Sequence, residues 1–135
     1  MVKEGMLFVN VYASHDPNEK KILWNKLHDL ITSDLEYMWF VFGDFIVVRF
    51  PEERLGSVFC PHGAYFFGKF IYFAGLLEIK MDGRRFTYMS SKGDKHNKLD
   101  IYLVSTNVND TWPHLNVIAL PQVHSDHCAI VLSPN

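Results

Sequence analysis

Along this chain the spacing of hydrophobic residues changes repeatedly, and each change predicts an element. From Met6 to Ala13 the period is two. Leu7, Val9 and Val11 fall on one face and Phe8, Asn10 and Tyr12 on the other, which is a strand. Asp16-Pro17-Asn18-Glu19 is a helix start. Asp16 can cap, Pro17 takes the first helical position, and Glu19 sits where a capping box wants it. Ile22, Leu23, Leu27, Leu30 and Ile31 then recur at helical spacing, so the helix should run to about Ser33, with Trp24 and His28 as structural or surface groups. Trp39 to Val48 is almost wholly apolar and is broken once, at Gly43-Asp44. Such a run reads as a strand buried on both faces.

The second half of the chain is read in the same way. Pro51 blocks helix at Phe50, and Glu52 to Gly63 is loop-like. Ala64 to Ala74 suits a short buried helix ended by Gly75. Leu76 to Lys80 is a short strand, Asp82-Gly83 signals a hairpin turn, and Arg84 to Ser90 alternates as the returning strand. Ser91 to Lys98 is a polar, basic loop. Leu99 to Ser105 is a strand carrying Asp100, an acid in an apolar frame that needs a partner. Asn107 to Trp112 is a short helix or turn, Val117 to Leu120 a strand, Pro121 to Asp126 a loop, and Cys128 to Leu132 a last apolar strand. Hairpins mixed with crossovers predict a layered α/β sandwich rather than a doubly wound sheet. The first strand begins almost at Met1 with no preceding partner, so the pattern reads as a domain entered part-way.

Composition narrows the classes. The 135 residues suffice for one domain, 1–135, and 48% hydrophobic content supports a real core rather than disorder. The formal charge of −2 supplies no global positive field, so any nucleic-acid binding must rest on a local patch. No apolar run is long enough to span a membrane, and the first residues lack the apolar core of a signal peptide. Cys60 and Cys128 have no CxxC spacing, and His62 beside Cys60 is too little for a zinc site. Both thiols are expected to be reduced and buried, in an intracellular protein of the nucleus or cytoplasm.

Candidate chemistry lies where apolar strands end or are interrupted: Tyr12, Asp44, Asp100 and Ser125-Asp126-His127. A histidine needs an acceptor to fix its ring, and Asp100 is the natural one for His127. Asp126 could hold a hard cation such as Mg²⁺, and Asp44 could orient a water. Each also has a structural reading: Asp44 as a turn aspartate bonded to its own backbone, and His127 as a satisfied core histidine. Lys92, Lys95 and Lys98 make a basic loop that either contacts DNA backbone or is solvated.

These residues carry a family resemblance. Val9-Asn10-Val11-Tyr12-Ala13, Gly43-Asp44-Phe45, Phe50-Pro51-Glu52-Glu53-Arg54, Arg84-Arg85-Phe86-Thr87-Tyr88, Lys98-Leu99-Asp100 and Ser125-Asp126-His127-Cys128 occur in this order over nearly the whole chain. Together they resemble the endonuclease/exonuclease/phosphatase superfamily. More narrowly, they resemble the endonuclease domain of plant LINE-type non-LTR retrotransposon polyproteins, which also encode a reverse transcriptase. The resemblance implies a four-layer α/β sandwich and Mg²⁺-assisted hydrolysis of a DNA phosphodiester, with no membrane association and no small-molecule cofactor. It implies that Tyr12 contacts the scissile phosphate, Asp44 positions and deprotonates the attacking water, Asp100 pairs with the catalytic His127, and Asp126 belongs to the metal site. Thr87, Ser125, Lys95 and Lys98 would contact phosphate or DNA.

The departures are as informative. The family's aspartate is followed two residues later by asparagine, and here the residue is Ile46. Arg usually follows the aspartate that Asp100 resembles, and here Ile101 does. Pro is common after the Ser-Asp-His-Cys motif, and here Ala129 stands. The family's first strands, with an asparagine and a metal-binding glutamate, would precede Met1. The expectation is therefore a C-terminal portion of a retroelement endonuclease that once nicked DNA to prime reverse transcription. It would lack the N-terminal strands, have an incomplete metal site, be weakened or inactive, and have a sheet that a partner chain could complete. The rivals are a non-catalytic remnant that binds nucleic acid or protein, and a phosphatase of the same superfamily.

Overall fold

The computed structural model describes residues 5–121 and 126–133. In chain order the elements are β1 (Met6–Tyr12), α1 (Pro17–Thr32), β2 (Met38–Asp44), β3 (Arg54–Leu55), α2 (Pro61–Phe73), β4 (Leu76–Glu78), β5 (Met81–Gly83), β6 (Tyr88–Met89), β7 (His96–Asn97), β8 (Asp100–Ser105), α3 (Thr106–Thr111), β9 (Asn116–Ala119) and β10 (Ile130–Ser133). The apolar run around Val41 becomes an inner strand of a four-stranded sheet ordered β1-β2-β8-β4. β1 is parallel to β2, and β8 is antiparallel to both β2 and β4.

Because side chains alternate across a strand, β2 serves two cores. Trp39 and Val41 point to one face, where they join Ile101 and Leu103 of β8 and pack against Trp24, Leu27 and Ile31 of α1 and Phe67, Phe70 and Ile71 of α2. Trp24 is the centre of this layer. Its ring lies within 5.0–5.9 Å of Phe45, Phe67 and Phe70, all of them buried. Phe40 points the other way and joins Tyr102 and Val104 of β8 against Val117 of β9, with Ile130 and Leu132 of β10 packed on the same cluster. The second sheet, β10-β9-β5, thus covers the face that the helices leave open, and a small third sheet, β3-β7-β6, lies beside them. Helix, sheet and sheet make three stacked layers among the described residues.

Several local expectations are corrected. In α1 Asp16 caps as predicted, with Oδ1 accepting from Asn18 N–H at 3.1 Å, but its own N–H donates to Ser14 Oγ, so no capping box with Glu19 forms. The buried stripe of α1 is Trp24, Leu27 and Ile31, whereas Ile22 and Leu30 are about half exposed. Helix α2 starts three residues earlier than expected, with Pro61 at its first position and Cys60 Sγ accepting from Gly63 N–H. Cys60 is therefore exposed, not buried, while Cys128 is buried, and both are free thiols. Asp82-Gly83 does not turn a hairpin. Met81–Gly83 runs parallel to β9, and Gly83, at φ +88°, lets the Ala119 carbonyl occupy the space of a Cβ. The glycine serves close strand approach rather than reversal, and Arg84–Phe86 leads to the third sheet.

Candidate active site

The strand register assembles the site. Tyr12 of β1 is paired with Asp44 of β2, and Asp44 with Asp100 of β8, so the three occupy one row across neighbouring strands. The rows below it are Asn10–Phe42–Tyr102 and Phe8–Phe40–Val104, and they face the second sheet. Alternation therefore puts Tyr12, Asp44 and Asp100 on that same face, at the sheet end where the chain enters β10. Gly43 permits the row to close up. Its φ is +132°, and Val11 backbone occupies the position a Cβ would take.

His127 completes the row from the segment before β10. Its Nδ1 lies 2.6 Å from Asp100 Oδ2 and its Nε2 lies 3.5 Å from Asp44 Oδ2. The backbone of this segment is held by β6: Cys128 N–H donates to Thr87 O at 2.6 Å, Met89 N–H donates to Asp126 O at 2.9 Å, and the Tyr88 ring sits 5.2 Å from the imidazole. Burial alone would push the His127 pKa down. The Asp100 hydrogen bond and charge, with Asp44 and Asp126 behind them, raise it overall. Burial raises the Asp44 pKa, aided by Asp100 and opposed by the Ile46 amide and His127. Relative to the free groups, the imidazole thus favours its charged form and the Asp44 carboxyl its neutral one.

Asp44 is anchored by the turn that follows it. Its Oδ1 accepts from Ile46 N–H at 3.0 Å, and Ile46 sits at φ +52°. That left-handed conformation suits asparagine or glycine and is uncommon for a β-branched residue. Lys20, from the first turns of α1, donates from Nζ to the Ile46 carbonyl at 2.5 Å and fixes the turn against the helix. Burial holds the Lys20 pKa below its ordinary value.

No protein-family model and no curated protein matches the sequence. Solved structures do match in fold. The cytolethal distending toxin of Actinobacillus actinomycetemcomitans superposes with a TM-score of 0.56 at 15% identity, over 94% of this chain and 48% of its own. That of Haemophilus ducreyi gives 0.57 at 16% identity, over 94% and 48%. The beta toxin of Staphylococcus aureus gives 0.60 at 14% identity, over 91% and 47%. The chain has a mixed α+β fold of the endonuclease/exonuclease/phosphatase type. It spans about half the length of these structures.

Within this fold, Asp44, Asp100 and His127 each present a ligand atom, all within 4.8 Å of one another. The donor types suit a divalent cation, with Asp126 adding a third carboxylate on the wall of the same cleft. His127 competes for the cluster, since one oxygen of each aspartate already faces a ring nitrogen.

Other predicted residues are placed differently from one another. Tyr12, 81% exposed, lines the cleft with Asp126. Lys95 lines it on the other side. Thr87 does not face the cleft. It is fully buried, and its Oγ1 accepts from the backbone N–H groups of Leu99 and Asp100, both at 3.0 Å, so it supports the carboxylate from behind instead of touching phosphate. Lys98 is also diverted. Its Nζ is 2.7 Å from Glu78 and 3.5 Å from Glu53 in a part-buried ion network that includes Arg49. An ammonium so engaged is withdrawn from DNA backbone. Lys92 is exposed, and Ser125 lies outside the described residues. Lys20, His15, Arg54 and Tyr88 also line the cleft, and the sequence assigns none of them a site role. For Lys20 and His15 the only sequence signal is charge or an imidazole near a helix start, whereas Arg54 and Tyr88 end two of the motifs that carry the resemblance.

Proposed function

We propose that this chain is part of a Mg²⁺-dependent phosphodiesterase acting on DNA, of the retrotransposon endonuclease type, with activity reduced by Ile46. The observation that carries the reading is the relay Asp44–His127–Asp100. Asp100 fixes the ring through Nδ1, so a protonated His127 presents its Nε2–H to the cleft. Asp44 Oδ2 lies 3.5 Å from Nε2 on the wall of the same cleft, so a phosphate bound there would accept a hydrogen bond from Nε2–H through a non-bridging oxygen. Asp44, oriented by the Ile46 amide on its other oxygen, would accept the proton of an attacking water as the new P–O bond forms and the bond to the bridging oxygen breaks, the leaving oxygen taking its proton from solvent. A bound divalent cation would offset the negative charge that develops on the phosphate. Tyr12, exposed beside Asp44, is in position to contact that phosphate.

Reduced activity rests on Ile46, which lines the cleft with no polar side-chain group where the family has an amide. Losing one positioned donor costs on the order of 10²–10³ in rate. Retroelement origin rests on Phe50 to Arg54 and Arg84 to Tyr88, stretches outside the catalytic row. A nuclear or cytoplasmic location accords with two unpaired thiols. The test is hydrolysis of bis(p-nitrophenyl) phosphate with and without Mg²⁺. A slow, Mg²⁺-dependent rate abolished by Asp100→Asn supports the reading, and a rate indifferent to Asp100 contradicts it.

A further inference from the structure

The catalytic row lies where two arms of a cleft meet, each of about 490 Å³. Tyr12, Asp44, Asp126 and His127 line both arms. The arms differ in charge. One continues over Asn10, Val11, Gly43 and Asp100 and, among the described residues, contributes no lysine or arginine. The other continues past His15, Lys20, Arg54 and Lys95. These basic residues come from four separate segments, the turn before α1, α1 itself, β3 and the loop before β7, so the tertiary fold, not a local charge run, collects them. Arg54 carries a further sign. Its Nη1 donates to the Val58 carbonyl at 2.9 Å, while its buried Nε–H has no hydrogen-bond partner among the described residues. On the wall of this cleft the planar guanidinium suits recognition of an oxyanion.

We propose that the arm lined by His15, Lys20, Arg54 and Lys95 is a subsite for a second phosphate, next to the one attacked, and that the opposite arm has no such subsite. This rests on the phosphodiesterase reading and deepens it. The substrate would be a strand with a phosphate flanking the scissile one on one side only, and an isolated phosphodiester or phosphomonoester would fill half the site. Lys20 is the fixed inner cation, tied to the Ile46 carbonyl, while the exposed Lys95 closes the arm from the polar loop.

The test compares three thymidine dinucleotides: TpT, pTpT with a 5′-terminal phosphate, and TpTp with a 3′-terminal phosphate. The full 135-residue chain is used with Mg²⁺, with both hydrolysis and binding measured. One of the two phosphorylated isomers should exceed TpT by about tenfold or more in kcat/KM and in affinity, and the other should equal TpT. The advantage should fall with rising salt. In Arg54→Ala and in Lys95→Ala the ratio between the favoured isomer and TpT should drop toward one. Because it is taken within each variant, a loss of folded protein cancels. Equal gains from both isomers, no gain from either, or a ratio insensitive to both variants would overturn the subsite. If none of the three is hydrolysed, the phosphodiesterase reading fails, and the binding ratios still decide the subsite.

Discussion

Nδ1 of His127 and Oδ2 of Asp100 lie 2.6 Å apart, bridging a loop residue and the first residue of β8 across 27 positions of sequence. Removing the charge of Asp100 while keeping its shape isolates what this bond does. In Asp100→Asn the acceptor that holds the imidazole in one tautomer is weakened, and phosphodiester hydrolysis should fall by roughly 10²–10⁴. The His127 pKa should fall as well, since the Asp100 bond and charge are the main causes raising it against burial. Titration of the His127 ring by NMR in both proteins checks this directly.

The pH dependence follows from the same pair. His127 must be protonated to donate to phosphate, and its raised pKa places the alkaline limb of the rate above about pH 6.5. Asp44 must be ionised to accept a proton, and its raised pKa moves the acid limb above the ordinary carboxylate range near pH 4. Stability has its own sign. A histidine whose folded pKa is raised contributes stability that is complete below its unfolded value, about 6.5, and is lost as pH rises through the folded one. Asp44, also raised, contributes in the same direction: its neutral form is favoured by the fold, and that advantage is lost as pH rises through its folded pKa. Melting temperature should therefore decline from mildly acid to alkaline pH, and His127→Gln should flatten the part of the decline that lies above about pH 6.5.

Thr87→Val tests the buried support beneath Asp100. The hydroxyl accepts from two backbone N–H groups, at Leu99 and Asp100, and valine leaves both unpaired in a fully buried place. Each unsatisfied donor costs about 1–3 kcal/mol, so denaturant unfolding should show a loss of roughly 2–6 kcal/mol. A residue that merely touched phosphate would leave stability nearly unchanged.

Ile46→Asn restores an amide beside Asp44. Left-handed backbone costs a β-branched residue about 1–2 kcal/mol, which asparagine largely avoids. Ile46 also packs on the core, and losing that contact costs a similar amount, about 1–2 kcal/mol. Stability should therefore change by less than about 1 kcal/mol while the hydrolytic rate rises by 10²–10³. A rate unchanged in a folded variant would mean that an amide at position 46 takes no part in the reaction.

The sequence made some of this legible and not the rest, for physical reasons. Asp100 was conspicuous because an acid in an apolar strand needs a partner, and period-two alternation put Tyr12 on the correct face. The core of β2 was equally plain, because a strand buried on both faces is apolar at every position. Thr87 and Lys98 were misassigned because their partners are distant and chosen by packing. Thr87 serves amides 12 and 13 residues on, and Lys98 reaches Glu53 and Glu78, 45 and 20 residues back. Asp82-Gly83 misled because positive φ at glycine serves a hairpin turn and a close strand contact equally well, and only the position of Ala119 decides between them. Lys20 was hidden among the exposed charges of a helix, and its role depends on a carbonyl 26 residues away.

If Asp44, Asp100 and His127 form a phosphodiester-cleaving centre, the chain should nick supercoiled plasmid DNA. Slow, Mg²⁺-dependent conversion of supercoiled to open-circular plasmid is expected, lost in His127→Ala and increased in Ile46→Asn. Salt-sensitive DNA binding with no nicking, in the unmodified chain and in Ile46→Asn alike, would contradict it and leave a binding remnant in its place.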